Sequence, residues 1–356
     1  MSGPLLVLDT GLRGARANIA FDAALVEAHR AGAIGDAIRL LRFERSALVG
    51  RHQQLEREVD LAWCTAHDVE LARRLTGGGA IVFEPAQLGW ELAIARTALP
   101  GPLEEVAQRL CEAVAAGLSR LGVSARFRPR NDIEVAGRKL CGTGGYFDGP
   151  TLFYQGTVLV DLDLDLLCGA LRPPFGKLER RGLRSVADRV VTLRELLGRL
   201  PAIEEVKAVV VASLAHALGR RAEAAAVPQA LARAAEAWLV DEIGTERFVR
   251  GEDRHGPAER CGTGERRVAG GTVRAHVRLG PGAEPVIDDI RFEGDFFVAP
   301  ARAVLDLEAS LRGMRAELAE PGVSAFFAGP AEIAGIGVGP ADFAAALRAA
   351  LRGAGA

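Results

Sequence analysis

Two stretches of this chain combine cationic side chains with glycine in a way that suits anion chemistry. The first runs Arg73-Arg74-Leu75-Thr76-Gly77-Gly78-Gly79-Ala80. Consecutive glycines lose much backbone entropy on folding, and nothing in this triplet's sequence suggests a packing role, so a local use is expected. Without side chains, successive N–H groups can come close to a phosphate or an acyl-adenylate. Arg74 adds a planar fork of donors for the same anion. Taken alone, the triplet also reads as a flexible hairpin turn.

The second stretch is Arg130-Asn131-Asp132-Ile133-Glu134-Val135-Ala136-Gly137-Arg138-Lys139-Leu140-Cys141-Gly142-Thr143. Asn131 and Asp132 precede a short strand, Ala136-Gly137 makes a tight turn, and Lys139 stands on the returning strand with Cys141 on the same face by period two. Such a hairpin presents a lysine beside a carboxylate. Taken alone, Lys139 reads as a solvated lysine protecting an edge strand.

The elements that must position these residues follow from apolar periodicity. Leu5 to Leu8 and Ala37 to Val49 read as strands, Ala17 to Ala31 as a helix, and Gly79 to Phe83 with Leu88 to Ala93 as a hairpin around Glu84-Pro85. Pro102 to Leu121 is an amphipathic helix with Leu103, Val106, Leu110, Val114 and Leu118 on one side. Strands return at Ile133 to Val135, Arg138 to Thr143 and Leu152 to Val160, and helices follow at Leu162 to Ala170, Thr192 to Leu197, Ile203 to Leu218 and Val227 to Leu239. Arg250 to Gly271 is polar and glycine-rich and reads as a linker. Beyond it, strands at Thr272 to Leu279 and Val286 to Phe292 and helices at Pro300 to Leu318 and Pro340 to Arg352 suggest a small α+β module. The expected division is therefore 1–250, a linker at 251–271, and 272–356.

Composition narrows the function classes. Lys plus Arg total 44 against 46 Asp plus Glu, which gives a formal charge of −2 and no basic field for nucleic acid. The five cysteines are scattered, without a CxxC pair or a histidine at ligand spacing, as free thiols of a reducing compartment would be. No leader pattern and no long apolar span is evident, so a cytoplasmic location away from the membrane is expected.

Taken in order, RRLTGGGA, RNDIEVAGRKLCGTGGY and LFYQGTVLV resemble the lipoate-protein ligase family. The resemblance extends to Asn18-Ile19-Ala20, Gly50-Arg51, GLRSVADRVVTLRELL at Gly182 to Leu197, and the tail around IRFEGDFF at Ile290 to Phe297. It implies an α/β (α+β) enzyme related to biotin ligases, whose catalytic domain has mixed sheets flanked by helices and is followed by a small accessory C-terminal domain. It also implies ATP and Mg2+, lipoate or octanoate as substrate, a lipoyl-AMP intermediate, and transfer to a lysine of an acceptor domain. That acceptor would be a dehydrogenase E2, a glycine-cleavage carrier or a sulfur-oxidation lipoate-binding protein, and the enzyme a monomer.

By the same resemblance, Lys139 is the catalytic cation that contacts the lipoyl carbonyl and phosphate, and Arg74 contacts the adenylate. Gly77, Gly78, Gly79, Ala80, Ile81, Val82, Asn131, Thr143 and Gly156 line the nucleotide, and Asp132 helps to hold Mg2+. Gly50, Leu88 to Trp90 and Val158 are candidate walls for the apolar acyl arm, each methylene of which contributes ~0.8 kcal/mol when buried. The chain departs from the family in Tyr154-Gln155-Gly156-Thr157, where many members carry a histidine before the Gly-Thr, and at Leu75-Thr76, where Ser-Ser or Thr-Ser is frequent. Two other readings remain: a lipoyl or octanoyl transferase with Cys141 as nucleophile, and a non-catalytic lipoate-binding protein. Biotin ligase fits poorly, because its Gly-Arg-Gly-Arg-type loop is missing.

Overall fold

Short strands lie among the helices of the first two-thirds of the chain, and their pairing sets the architecture. The computed structural model describes residues 3–172, 187–251, 260–282, 284–300, 302–329 and 333–356. It divides into two units, Met1–Val49 with Leu55–Leu75 and Ala80–Gly251, and Gly50–Gln54 with Thr76–Gly79 and Glu252–Ala356. The expected resemblance segment Gly182 to Leu197 lies outside the described residues as far as 186. Among the described residues no helix is long and apolar enough to cross a membrane.

The first unit holds β1 (Leu5–Arg13), β2 (Ala37–Phe43), β3 (Ser46–Val49), β4 (Glu70–Arg73), β5 (Ile81–Phe83), β6 (Leu88–Ala95), β7 (Arg126–Arg128), β8 (Asp132–Val135), β9 (Arg138–Asp148), β10 (Thr151–Val158) and β11 (Ala222–Ala225). Eight of them form one sheet in the order β11-β1-β2-β6-β10-β9-β8-β7, and β4-β3-β5 form a second, smaller one. β1 runs parallel to both neighbours and the rest of the large sheet is antiparallel, so this is the mixed α/β fold that the resemblance implies.

Register assigns the two faces of the large sheet. Gly156 pairs with Trp90 and Thr143, and Tyr154 with Leu92 and Gly145, which puts Trp90, Thr143 and Tyr154 on one face by period two. Cys111 of the helix Leu103–Ser119 meets that face at Thr143 and Tyr154. The other face carries Arg39, Glu91, Gln155 and Gly142, and there the helix Ala15–Arg30 meets Arg39 through Asn18 and Asp22.

Two expectations change. The apolar run Ala37 to Val49 is two strands in different sheets, and the hairpin expected around Glu84-Pro85 does not form, because β5 pairs with β3 and β6 with β2 and β10. Local alternation cannot distinguish a tight hairpin from two strands that part into separate sheets.

In the second unit β12 (Cys261–Val268), β13 (Gly271–Leu279) and β14 (Ile287–Gly294) form an antiparallel sheet. Val273, Ala275, Val277 and Leu279 alternate into a core with Phe292, Phe343 and Leu347. The expected linker at 251–271 therefore contains a strand. Its sequence CGTGERRV looks like loop because glycine does the work of apolar side chains: a Cβ at Gly262 or Gly264 would collide with the backbone of the helix Pro340–Gly353 at Ala350 or Ala346. The second unit also takes in Gly77 and Gly78. Gly78 N donates to Phe296 O at 3.3 Å, and a Cβ on Gly77 would fall on that same carbonyl. Close backbone packing thus gives the triplet a use that its sequence did not suggest.

Candidate active site

The hairpin β8–β9 turns through Ala136 and Gly137, both at positive φ (49° and 84°), which is what a two-residue turn between twisted strands demands. Glu134 pairs with Lys139 but Ile133 pairs with Cys141, so Leu140 is an extra residue and β9 carries a bulge. The bulge undoes the period-two expectation that Lys139 and Cys141 share a face. Lys139 Nζ lies over Gly142 and 2.7 Å from Asp132 Oδ1. Cys141 points the other way and is fully buried, and burial pushes its thiol far above the usual range.

Asp132 is held from two sides, with Arg128 donating to its second oxygen while Lys139 takes the first. Burial pushes the Asp132 carboxyl up, but the charges and hydrogen bonds of Lys139 and Arg128 outweigh it and hold the pKa below the ordinary value. The carboxylate is therefore ionised at neutral pH and fixes the lysine. Arg128 also reaches Glu134 at 3.4 Å, and Arg126 pairs with Glu134 at 2.8 Å.

Asn131 belongs to this cluster through its backbone: Thr143 N and Thr143 Oγ1 both donate to Asn131 O, at 2.9 and 2.8 Å, and Asn131 Nδ2 donates back to Thr143 O. The Thr143 hydroxyl is thus turned into the protein on the face away from Lys139. Gly156 has the Trp90 indole where its Cβ would be, 2.5 Å from Cζ2. Its missing side chain makes room for packing.

The other expected residues stand on the small sheet and the turns beside it. Arg74 is buried, donates to Leu48 O at 3.2 Å, and has its pKa pushed down by burial to about 10. Its neighbour Arg73 serves the fold, donating to the carbonyls of Phe248, Val249 and Arg250 at the end of the helix Glu246–Arg250. Ile81 and Val82 pair with Leu48 and Ala47, and Val82 and Ala80 pack in one apolar cluster. Gly77, Gly78 and Gly79 belong to the second unit.

Arg128 and Gly142 were not among the residues singled out from the sequence. The signal for Arg128 was the alternation Arg126, Arg128 opposite Asp132, Glu134, which becomes legible only once the two strands pair. Among the described residues no three His, Cys, Asp or Glu side chains converge to hold a metal ion. Asp132, the carboxylate expected to help hold Mg2+, is held between Lys139 and Arg128.

The S. aureus lipoate–protein ligase 1 is 30% identical over 169 residues, 48% of this chain and 51% of that protein, so the chain spans about half of that relative's length. The octanoyltransferase LipM of Kyrpidia tusciae is 28% identical over 242 residues, 61% of this chain and 88% of that protein. Among solved structures, a lipoate-protein ligase A bound with ATP covers 70% of this chain and 99% of its own at 25% identity, with a TM-score of 0.61. The bipartite Thermoplasma acidophilum lipoate protein ligase, described with its E2 lipoyl domain, covers 72% and 100% at 25% identity, with a TM-score of 0.62. The family described as "Lipoyl protein ligase A/B catalytic domain" matches residues 14–215, more than half of the chain, and this protein belongs to that family.

Proposed function

We propose that this chain is an ATP-dependent lipoate-protein ligase, which activates lipoate or octanoate as the acyl-adenylate and passes the acyl group to the ε-amine of an acceptor-domain lysine. The observation that carries this reading is the opposed placement of Lys139 and Cys141: the cation lies over Gly142 beside an ionised Asp132, while the thiol is sealed on the other face of β9. A transferase needs an accessible thiolate, and burial suppresses this one. A ligase needs a fixed cation where negative charge develops on the acyl and phosphoryl oxygens, worth ~3 to 4 kcal/mol of barrier.

In this reading Lys139 contacts the carbonyl and phosphate oxygens, Asp132 orients Lys139, and Arg128 keeps Asp132 in place. Arg74, buried and fixed, serves the adenylate. Mg2+, when bound with ATP, would offset phosphate charge and take Asp132 as a ligand. The relatives described as lipoate-protein ligases, one of them bound with ATP, support the reading, and the octanoyltransferase relatives are the reason to test it. We place the enzyme in the cytoplasm, as a monomer acting on a lipoyl domain.

Purified protein incubated with lipoate, ATP and Mg2+ should release pyrophosphate and then lipoylate an added acceptor domain. Transfer solely from a pre-acylated carrier protein, with none from free acid and ATP, would make the chain a transferase.

A further inference from the structure

Tyr154 stands on the face of the large sheet that carries Trp90 and Thr143, and its hydroxyl reaches Thr143, which bonds the Asn131 carbonyl on the way to the Lys139 side. The residue is fully buried, and its ring occupies the space where a Gly145 side chain would be. Its hydroxyl lies 2.5 Å from Thr143 Oγ1 and 3.7 Å from Cys111 Sγ. Cys111 Sγ is itself 3.3 Å from Thr143 Oγ1.

The direction of these hydrogen bonds can be worked out. A carbonyl oxygen only accepts, so the single proton of the Thr143 hydroxyl goes to Asn131 O. Thr143 Oγ1 then accepts from Tyr154, and the Cys111 thiol has both hydroxyl oxygens within reach as acceptors. The chain runs Tyr154 to Thr143 to Asn131, each bond polarising the next in the buried interior. Its end is the peptide that leads directly into Asp132, the partner of Lys139. The same turn holds Arg130 at φ 117°, a conformation that a non-glycine residue keeps only when its surroundings impose it.

We propose that Tyr154 is a positioning residue for the acyl-transfer site: through Thr143 it fixes the Asn131-Asp132 turn, and thereby the angle at which Asp132 presents the Lys139 ammonium. Tyr154 touches no substrate, and the geometry gives it a reason to be tyrosine that ring packing alone does not supply. Phenylalanine would fill the same space and leave Thr143 Oγ1 with the weak Cys111 thiol in place of a phenol donor. The proposal rests on the ligase reading for its kinetic consequence and on the hydrogen-bond chain for its structural one.

The test compares full-length wild type with Tyr154→Phe, Thr143→Val, the double variant and Thr143→Ser. It measures lipoate- and ATP-dependent pyrophosphate release together with amide hydrogen exchange at Asp132 and Thr143. Tyr154→Phe is expected to lower kcat about tenfold with the KM for lipoate unchanged within twofold. The double variant should be no slower than Thr143→Val alone, because Tyr154 acts through Thr143, and Thr143→Ser should keep most of the rate. Exchange at the Thr143 amide should quicken in Tyr154→Phe while amides of β6 stay protected. Unchanged kcat, additive single effects, or unaltered Thr143 exchange would overturn the proposal. Wild-type protein that releases no pyrophosphate would sink the ligase reading instead, and the exchange comparison would still decide whether Tyr154 anchors the turn. Should Tyr154→Phe fold poorly, Thr143→Val against Thr143→Ser gives the same decision.

Discussion

Lys139 lies across Gly142, with its Nζ 2.5 Å from the point where a Gly142 Cβ would sit. The glycine is what allows the lysine to fold back over its own strand and reach Asp132. The atom in the way is the far end of a flexible side chain, so alanine at this position need not disturb the backbone. Gly142→Ala should therefore leave the melting temperature within a few degrees while kcat/KM for lipoyl transfer falls by about 10- to 100-fold, since a displaced cation forfeits much of its ~3 to 4 kcal/mol. A loss of stability that accounts for the loss of activity would refute this separation.

Lys139→Ala should lower transfer by about two to three orders of magnitude without unfolding the protein. Cys141→Ser should cost no more than several-fold, because the thiol is a buried strand residue facing away from Lys139. A dead Cys141→Ser beside an active Lys139→Ala would reverse the assignment and make the chain a thiol-dependent transferase.

Acid sensitivity should come in part from Asp36. Burial pushes its carboxyl up, but the hydrogen bonds from His29, Ala95 N and Arg220 prevail and hold its pKa at about 2. A carboxyl depressed in the folded state stabilises above its unfolded pKa of about 4 and loses that contribution as pH falls toward 2, a difference of about 2 kcal/mol. Wild type should lose stability over that window in urea titrations, and Asp36→Asn should be less stable at pH 7 with a flatter profile. Parallel profiles for the two proteins would assign the acid sensitivity elsewhere.

The buried cluster of Arg39 with Asp22 and Glu91 sets two carboxyls against one guanidinium, at 2.6 and 3.0 Å. Burial, then the charge of Glu91, raises the Asp22 carboxyl well above its ordinary range, and burial raises Glu91 as well; we expect the pair to hold one proton, carried by Asp22. Asparagine has the shape and hydrogen-bonding capacity of that protonated acid, so Asp22→Asn should change unfolding free energy by no more than about 1 kcal/mol at pH 7. Arg39→Met should cost about 3 to 5 kcal/mol, because it strands a buried carboxylate. Equal losses from the two changes would mean that both carboxyls are ionised.

The parts of the site that lie close together in sequence were legible in it. Ala136-Gly137 announces a tight turn, and that turn brings Lys139 back toward Asp132. The bulge at Leu140 was not legible, since nothing in Arg138-Lys139-Leu140-Cys141 marks an extra residue, and the faces of Lys139 and Cys141 depend on it. Arg128 was missed because its role requires β7 to pair with β8. Strand β12 was read as linker because Gly262 and Gly264 leave it without an apolar face, although their purpose is to let the helix Pro340–Gly353 approach.

The first strand of the chain is completed by the last strand of its unit. β1 has β2 on one side and β11 on the other, Leu5 pairing with Ala222 and Leu8 with Ala225. During synthesis the β2 side can be closed early, while the opposite edge stays open until more than two hundred further residues have left the ribosome. An unpaired strand edge is a template for other chains, so the nascent protein carries an adhesive margin until Ala222–Ala225 has emerged. Truncation before Ala222 makes that margin permanent, and fragments ending there should self-associate even though every residue of the Lys139 hairpin is present.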